Sequence, residues 1–216
     1  MNKMGNIEKQ ELLNDIKKRM SLDDSLPLRK GATNLVFGVG NSDAEILFIG
    51  EGPGYWEDMK AEPFVGNAGK FLDSLLSLIK ISRKEVYITN VVHHRPPENR
   101  DPLPSEIQAY GRYLDEIIKV IDPKIIVTLG RFSMAKFLPN AKISSVHGRK
   151  FVVEWNNKYL TVVPMYHPAA GLRSEDVKQK IISDFKKLPA ILEEVRNEPE
   201  VKKNEKGVKI KQMSLI

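Results

Sequence analysis

The 216-residue sequence contains no cysteine and no long apolar run. Without cysteine the chain can form no disulfide and can hold no metal or iron–sulfur cluster on thiolates. No apolar run approaches the ~18 residues of a membrane-spanning helix, and Met1–Met20 is charged throughout, unlike a secretory signal. We therefore expect a cytoplasmic protein without a membrane partner. A Walker sequence and a GxGxxG motif are also missing, which disfavours an unrelated nucleotide-binding α/β domain.

The residues that are present have an ordinary balance of apolar and charged types. Hydrophobic residues make up 41% and charged residues 29%, and the length suits one α/β domain. The net charge of +6 is compatible with nucleic acid as a partner but does not establish it. We expect one domain over residues 1–195. A basic, disordered tail over residues 196–216 follows, because its alternating Glu and Lys residues show no core pattern.

Four apolar runs predict the strands of a parallel sheet that is covered on both faces, because they lack strict polar alternation. They are Glu45–Gly50, Val86–Asn90, Lys124–Gly130 and Tyr159–Met165, and Phe151–Trp155 is predicted to form a hairpin with the last. Helical patterns cover Ile7–Met20, Ala68–Lys80, Ser105–Ile121, a short segment near Ser133–Leu138, and Glu175–Val195 with a kink at Pro189. The sequence predicts an α/β fold, a three-layer α/β/α sandwich with a central, mostly parallel four-stranded sheet.

Unusual polar and turn-forming segments follow all four predicted strands. They are Gly50–Gly54, Asn90–Pro97, Gly130–Phe132 and Tyr166–Arg173. Ligands of such folds bind beyond the carboxyl ends of the strands, so the four segments predict one site. The glycines of residues 50–69 would let a ligand approach the backbone, but this stretch is net acidic, which disfavours a simple phosphate site.

Each candidate residue also has an ordinary explanation when it is taken alone. Asn90 is a common turn residue and Phe64 a common core residue. His167 stands out because the proline after it fixes the loop and its ring can donate a hydrogen bond into the crevice. The adjacent His93 and His94 predict no metal site, since neighbouring strand residues point to opposite faces and no third ligand has suitable spacing.

Four motifs occur in order along the chain. They are Gly-Glu-Gly-Pro-Gly (50–54), Glu-Pro-Phe-Val-Gly-Asn-Ala-Gly (62–69), Asn-Val-Val-His-His-Arg-Pro-Pro (90–97) and His-Pro-Ala-Ala-Gly-Leu-Arg (167–173). Together they resemble the family-4 uracil-DNA glycosylases, over roughly Ser21–Arg173. The resemblance implies a monofunctional hydrolase of base excision repair that flips uracil out of single- or double-stranded DNA and leaves an abasic site. The alternative is a catalytically weak or inactive paralogue that only binds DNA or damaged bases.

The resemblance assigns three residues to the uracil base. Phe64 would supply the face on which the base stacks. Asn90 would match the N3–H and O4 of uracil with its amide and would mismatch cytosine. His167 would donate to uracil O2 and stabilise the departing anion, as an oxyanion hole does.

Other residues are assigned to the sugar, the base edge and the DNA. Glu51 and Glu57 would lie near the sugar and the base edge, where either could stabilise the sugar cation, orient water or crowd the methyl group of thymine. Gly52 stands where the best-known uracil glycosylases have a water-activating aspartate, so the base that activates water stays open. Leu172 and Arg173 would enter the minor groove or hold its phosphates.

The sequence departs from the family where four cysteines would hold an iron–sulfur cluster. Those positions align with Asp23, Leu26, His94 and Tyr110. One histidine and one aspartate cannot hold such a cluster, so we predict that the protein has no cofactor. Glu62 also replaces the usual basic residue before Pro63.

The chain ends in Lys211-Gln212-Met213-Ser214-Leu215-Ile216, which resembles the start of a sliding-clamp-binding box. Gln212 and Leu215 have the appropriate spacing, but the paired aromatic residues of such boxes are missing. A replication clamp is therefore one predicted partner, and a frayed basic terminus is the alternative.

Overall fold

The structure is a computed structural model that describes residues 5–197. Its strands are β1 (Val39–Gly40), β2 (Ile46–Gly50), β3 (Tyr87–Asn90), β4 (Ile125–Leu129), β5 (Phe151–Trp155) and β6 (Lys158–Met165). Its α-helices are α1 (Asn6–Leu22), α2 (Tyr55–Lys60), α3 (Asn67–Leu78), α4 (Pro104–Ile121), α5 (Arg131–Ala135), α6 (Ile143–Val146), α7 (Pro168–Gly171), α8 (Glu175–Phe185) and α9 (Leu188–Asn197). Short 3₁₀ turns cover Arg29–Gly31, Arg83–Glu85 and Pro97–Asn99.

The strands of residues 5–197 form one sheet in the order β1-β3-β2-β4-β6-β5. The four central strands are parallel, as predicted, while β1 and β5 pair antiparallel at the two edges. The sheet therefore has six strands and not the four of the prediction. Strand β5 is the predicted hairpin partner of β6 and extends the same sheet. Strand β1 spans two residues and ends in a glycine, so the sequence carries no strand signal there.

Helices cover both faces of the sheet and confirm the three-layer sandwich. All residues of β2, β3 and β4 are buried, which is why these runs lack polar alternation. One core lies under α1 and α4 and contains Leu13 and Ile117. The other lies under α3, α8 and α9 and contains Leu72 and Phe185. Within residues 5–197 no helix is long and apolar enough to cross a membrane.

The C-terminal helical region differs from the prediction of one kinked helix. It consists of two helices, and the break falls at Lys186–Lys187 instead of at Pro189. Pro189 lies in the first turn of α9, where its missing N–H breaks no helical hydrogen bond. The predicted tail lies, from residue 198 onward, outside the described residues.

The parallel register brings the predicted site segments to one edge of the sheet. Gly50 at the end of β2 is the Cα partner of Asn90 at the end of β3, and Leu129 of β4 is the partner of Met165 of β6. The segments that follow these strands therefore leave the sheet side by side.

Candidate active site

A cavity of about 280 Å³ lies at the carboxyl edge of the sheet, between these segments. It is lined by Glu51, Gly52, Glu57, Phe64, Asn90, His167 and Arg173, together with residues of the loop after Arg95. The fold thus gathers residues that are up to 122 positions apart in the sequence around one space.

Close packing at the floor of the cavity requires a glycine at position 50. A Cβ atom there would overlap the Oδ1 atom of Asn90 and lie 2.7 Å from the ring of Phe64. Any side chain at Gly50 would therefore displace two lining residues. This is the close backbone approach that the glycine-rich segment predicts.

The amide of Asn90 has an unpaired acceptor. The residue is 1% exposed, and its Oδ1 atom has no hydrogen-bond partner among residues 5–197. A buried acceptor without a partner costs about 1–3 kcal/mol. Thr128 Oγ1 and His93 Nδ1 are also unpaired, but neither residue lines the cavity. Asn90 alone of these three therefore offers its orphan atom to a ligand.

Phe64 forms an aromatic wall of the cavity. It is 6% exposed and adopts a left-handed backbone conformation with φ of 54°, which is rare for a bulky residue and is typical of strained functional turns. Its ring centroid lies 5.6 Å from that of His167, with an angle of 27° between the planes.

His167 has one ring nitrogen committed and the other available. Its Nδ1 atom accepts a hydrogen bond from the backbone N–H of Ala169 at 3.1 Å. Burial, with a smaller contribution from the charge of Arg173, lowers the pKa of His167 to about 4. The ring is therefore neutral near pH 7, and since Nδ1 accepts, the proton resides on Nε2. His167 can act as a hydrogen-bond donor and adds no charge.

Glu51 reaches the cavity from the turn after β2. Its Oε1 atom accepts the backbone N–H of Phe132 at 2.9 Å, at the start of α5. Gly130 before this helix has φ of 112°, and a Cβ atom there would overlap the Glu51 carboxylate. Burial raises the pKa of Glu51, and the charge of Asp101 adds to the shift, while Phe132 and Arg131 oppose it. A desolvated carboxylate of this kind is a candidate proton acceptor.

Glu57 lines the cavity and holds its wall in place. Its Oε1 atom accepts the backbone N–H groups of Val65 and Gly66 at 2.9 and 2.8 Å. The carboxylate thereby fixes the turn that carries Phe64. Gly52 packs against Val92, and a Cβ atom on it would lie 2.8 Å from the Cγ2 atom of that residue.

The two predicted DNA-contacting residues lie at the rim. Leu172, directly after α7, is 50% exposed. Arg173 is also exposed and lines the cavity. Their position beside the cavity suits contact with a long substrate.

The loop over residues 98–102 closes one side of the cavity and was not predicted as part of the site. Asn99, Arg100, Asp101 and Pro102 line the cavity, next to Pro96 of the predicted segment Asn90–Pro97. Arg100 donates to both carboxylate oxygens of Glu106 at 2.6 and 2.8 Å, which ties the loop to α4. The prolines and the polar run Glu98-Asn99-Arg100-Asp101 mark a loop, but nothing in their order indicates that it folds back over the sheet edge.

The residues at the predicted positions of the cluster cysteines do not fit an iron–sulfur cluster. Leu26 offers no ligand atom, and the Nδ1 atom of His94 is hydrogen-bonded to the hydroxyl of Tyr110 at 2.7 Å. Asp23 accepts from Ser25, from Tyr113 at 2.8 Å and from Arg112. We call Asp23, Leu26, His94 and Tyr110 the Tyr110 group. Protein partners occupy the Nδ1 atom of His94, the hydroxyl of Tyr110 and the carboxylate of Asp23.

The two adjacent histidines are buried in the core. Both ring centroids lie 5.8 Å from that of Tyr110. Strand β3 ends at Asn90, so the strand alternation from which opposite directions were predicted does not extend to residues 93 and 94. Within residues 5–197 no group of three His, Cys, Asp or Glu residues is arranged to hold a metal ion.

Comparison with known proteins finds similar proteins among the uracil-DNA glycosylases. A model of the uracil DNA glycosylase superfamily matches residues 37–186. The type-4 uracil-DNA glycosylase of Archaeoglobus fulgidus is 46% identical over 184 residues, which cover 82% of this chain and 92% of that protein. The type-4 enzyme of Sulfurisphaera tokodaii is 46% identical over 162 residues (72% and 74% covered), and that of Thermotoga maritima is 38% identical over 186 residues (85% and 96% covered).

Proposed function

The chain belongs to the uracil DNA glycosylase superfamily, in its type-4 branch, and we propose that it is a monofunctional uracil-DNA glycosylase of base excision repair. The observation that carries the proposal is the unpaired Oδ1 atom of Asn90 inside a cavity that also holds Phe64 and a neutral His167. These are the groups that a flipped uracil requires.

Uracil is selected by the pattern of donors and acceptors that it presents. The orphan acceptor of Asn90 receives the N3–H of uracil, and the amide NH₂ donates to O4. Cytosine presents an acceptor at N3 and a donor at N4, so it leaves both ends of the amide mismatched. Phe64 stacks on the base, and Glu57 keeps that wall in place.

The reaction breaks the bond between C1′ of the sugar and N1 of uracil. The electron pair of that bond leaves with uracil, and the Nε2–H of His167 donates to O2, where negative charge develops. The carboxylate of Glu51 stabilises the positive charge on the sugar. A water molecule then forms the new C1′–O bond and transfers a proton to Glu51, and this proton finally neutralises the uracil anion. The balance is one water consumed, with uracil and an abasic site as products.

DNA is held at the rim while the nucleotide is extruded. Leu172 provides an exposed apolar side chain that can fill the space that the flipped base leaves. Arg173 supplies positive charge for phosphates beside the cavity.

The test is incubation of the protein with a duplex that carries one uracil, followed by alkaline cleavage of abasic sites. We expect strand cleavage at uracil in the presence of EDTA, and none with thymine or cytosine at that position. Tight binding without strand cleavage would instead establish an inactive paralogue, and activity that EDTA abolishes and a divalent ion restores would overturn the metal-free mechanism.

A replication clamp is a further proposed partner. Gln212 and Leu215 lie outside the described residues, so the proposal depends on their spacing alone. Calorimetric titration of a sliding clamp with the full chain and with a chain that lacks residues 211–216 decides it. Binding heat from the full chain alone supports the proposal, and identical heats overturn it.

A further inference from the structure

The short helix α2 beside the cavity has its acidic side chains on the inside. Asp58 is 3% exposed and accepts the backbone N–H groups of Thr33 and Asn34 at 3.0 and 2.8 Å. Glu57 accepts the two amides of the Phe64 turn, as described above. Both carboxylates therefore anchor α2, and the helix is held from two sides.

The outward side of α2 is aromatic and apolar. Tyr55, Trp56 and Met59 are 48%, 58% and 48% exposed. The rings of Tyr55 and Trp56 meet edge to face, with their centroids 5.2 Å apart. Scattered apolar side chains on a surface are common, but contiguous ones on an anchored helix are typical of a binding surface.

Arg95 adds a fixed positive charge to this surface. Its guanidinium lies 5.1 Å from the centroid of the Tyr55 ring, and its Nε–H donates to the Oδ1 atom of Asn99 at 2.7 Å. We call Tyr55, Trp56, Met59 and Arg95 the Trp56 platform. An aromatic surface with a cation beside it suits nucleic acid, because bases stack on aromatic rings while phosphates pair with the cation.

The platform borders the cavity directly. Gly54 and Glu57, which flank Tyr55 and Trp56 in the sequence, line the cavity, as do Pro96 and Asn99 next to Arg95. A nucleotide whose base occupies the cavity therefore has its covalent neighbour close to the platform. In a duplex that neighbouring base stays stacked and paired, whereas in a single strand it is free to leave the stack.

We propose that Trp56 stacks on the unpaired base next to the extruded uracil while Arg95 contacts the intervening phosphate, so that uracil in single-stranded DNA is the preferred substrate. The inference rests on the proposed glycosylase function and extends it to the form of the DNA. It assigns substrate preference to side chains that take no part in breaking the glycosidic bond.

The first experiment compares excision from a single strand and from the matched duplex, each with one uracil. We expect Trp56→Ala to raise the half-saturating concentration of the single strand roughly 5- to 150-fold, the range of one base–aromatic stack, and that of the duplex less than about twofold. Trp56→Phe should retain most of the affinity. Leu78→Ala is the matched control, because Leu78 is 47% exposed at the far end of α3.

The second experiment removes the base that is proposed to stack. Single strands carry an abasic residue on the 5′ or the 3′ side of uracil. On one of the two sides, we expect base removal to raise the half-saturating concentration of the single strand for the native protein as much as Trp56→Ala does. For the Trp56→Ala variant, the same base removal should have no further effect. The proposal would be overturned if Trp56→Ala weakened the affinity for single strand and duplex equally. It would also be overturned if Trp56→Ala still weakened the affinity for strands that lack the neighbouring bases.

A third readout does not depend on turnover. The chain has two tryptophans, Trp56 and Trp155, so Trp155→Phe leaves Trp56 as the reporter. Stacking predicts quenching of its fluorescence by a uracil-containing single strand and little quenching by the duplex. If the native protein excises uracil but shows neither quenching nor dependence on the neighbouring base, the platform proposal alone fails and a protein partner becomes the occupant to test. If it excises no uracil from any DNA, the proposed function fails.

Discussion

The base cavity and the Tyr110 group use buried polar residues in opposite ways. In the cavity, Asn90 keeps an acceptor without a protein partner and Phe64 occupies a strained conformation. In the Tyr110 group, His94 and Tyr110 bond to each other and Asp23 accepts from its neighbours. An unpaired buried group costs stability, and at Asn90 a ligand in the cavity can complete it, whereas satisfied groups stabilise the fold. The comparison separates a binding site from an internal support.

The largest expected effect is on catalysis in the cavity. Asn90→Ala or His167→Ala should lower the single-turnover rate of uracil excision on the order of 10²–10³-fold, because each removes a group that stabilises the departing uracil. Thr128→Val is the matched control, since it also deletes a buried unpaired atom but lies outside the cavity. It should leave the rate unchanged.

Stability should respond differently to these changes. Asn90→Ala removes an unsatisfied acceptor, so its unfolding temperature should equal or exceed that of the native protein. If the affinity for DNA fell as much as the rate, Asn90 and His167 would be positioning residues for the DNA instead of groups that act in the transition state.

In the Tyr110 group we expect a smaller effect, on stability and not on the rate of excision. Tyr110→Phe leaves the Nδ1 atom of the buried His94 without its partner, which should lower the free energy of unfolding by about 1–3 kcal/mol. Chemical denaturation measures this loss. The excision rate at saturating DNA should stay within about twofold, because Tyr110 does not line the cavity. A large loss of rate with unchanged stability would break the distinction between the two regions.

Acid should act on both regions through their histidines. Burial lowers the pKa of His167 and of His94 to about 4, from 6.5. Between these values the unfolded chain binds protons that the folded chain does not, so the free energy of unfolding should fall as the pH drops from about 6.5 to about 4. The raised pKa of Glu51 works in the other direction, because the folded state then holds the proton more tightly.

The measurement is the unfolding temperature as a function of pH. His167→Asn and His94→Asn should each flatten the decline below pH 6.5, one from the cavity and one from the Tyr110 group. If the unfolding temperature of both variants declined with pH as steeply as that of the native protein, the two histidines would not be the cause of the decline. Excision should also weaken on the acid side, since protonation removes Glu51 as a proton acceptor.

The last prediction is that iron has no effect on the protein. The purified protein should be colourless, and incubation with iron and sulfide should change neither its visible absorbance nor its unfolding temperature. Stoichiometric iron would contradict the conclusion that the Tyr110 group cannot hold a cluster.

Most of the fold was predictable because the hydrophobic pattern of each segment indicates its secondary structure. Strands β2, β3 and β4 are buried at every residue, and β6 is buried from Leu160 to Met165, so their lack of polar alternation favoured covered central strands. The two edge strands were not counted, since β1 is two residues long and the edge position of β5 follows from its pairing with β6. The break at Lys186–Lys187 was not predicted, because the apolar periodicity runs on from α8 into α9.

Sequence alone was enough to predict the parallel sheet, the edge at which its polar loops gather, and the resemblance that identifies Asn90, Phe64 and His167 as candidates. These follow from hydrophobic pattern and motif order, which are local properties of the chain. The folded structure was needed to show that Asn90 keeps an unpaired acceptor, that His167 has its proton on Nε2, and that the loop around Arg100 closes the cavity. The same holds for α2, which exposes Trp56 because Glu57 and Asp58 bond inward to amides. Hydrogen bonding and burial depend on residues far apart in the chain, and folding alone brings those residues together.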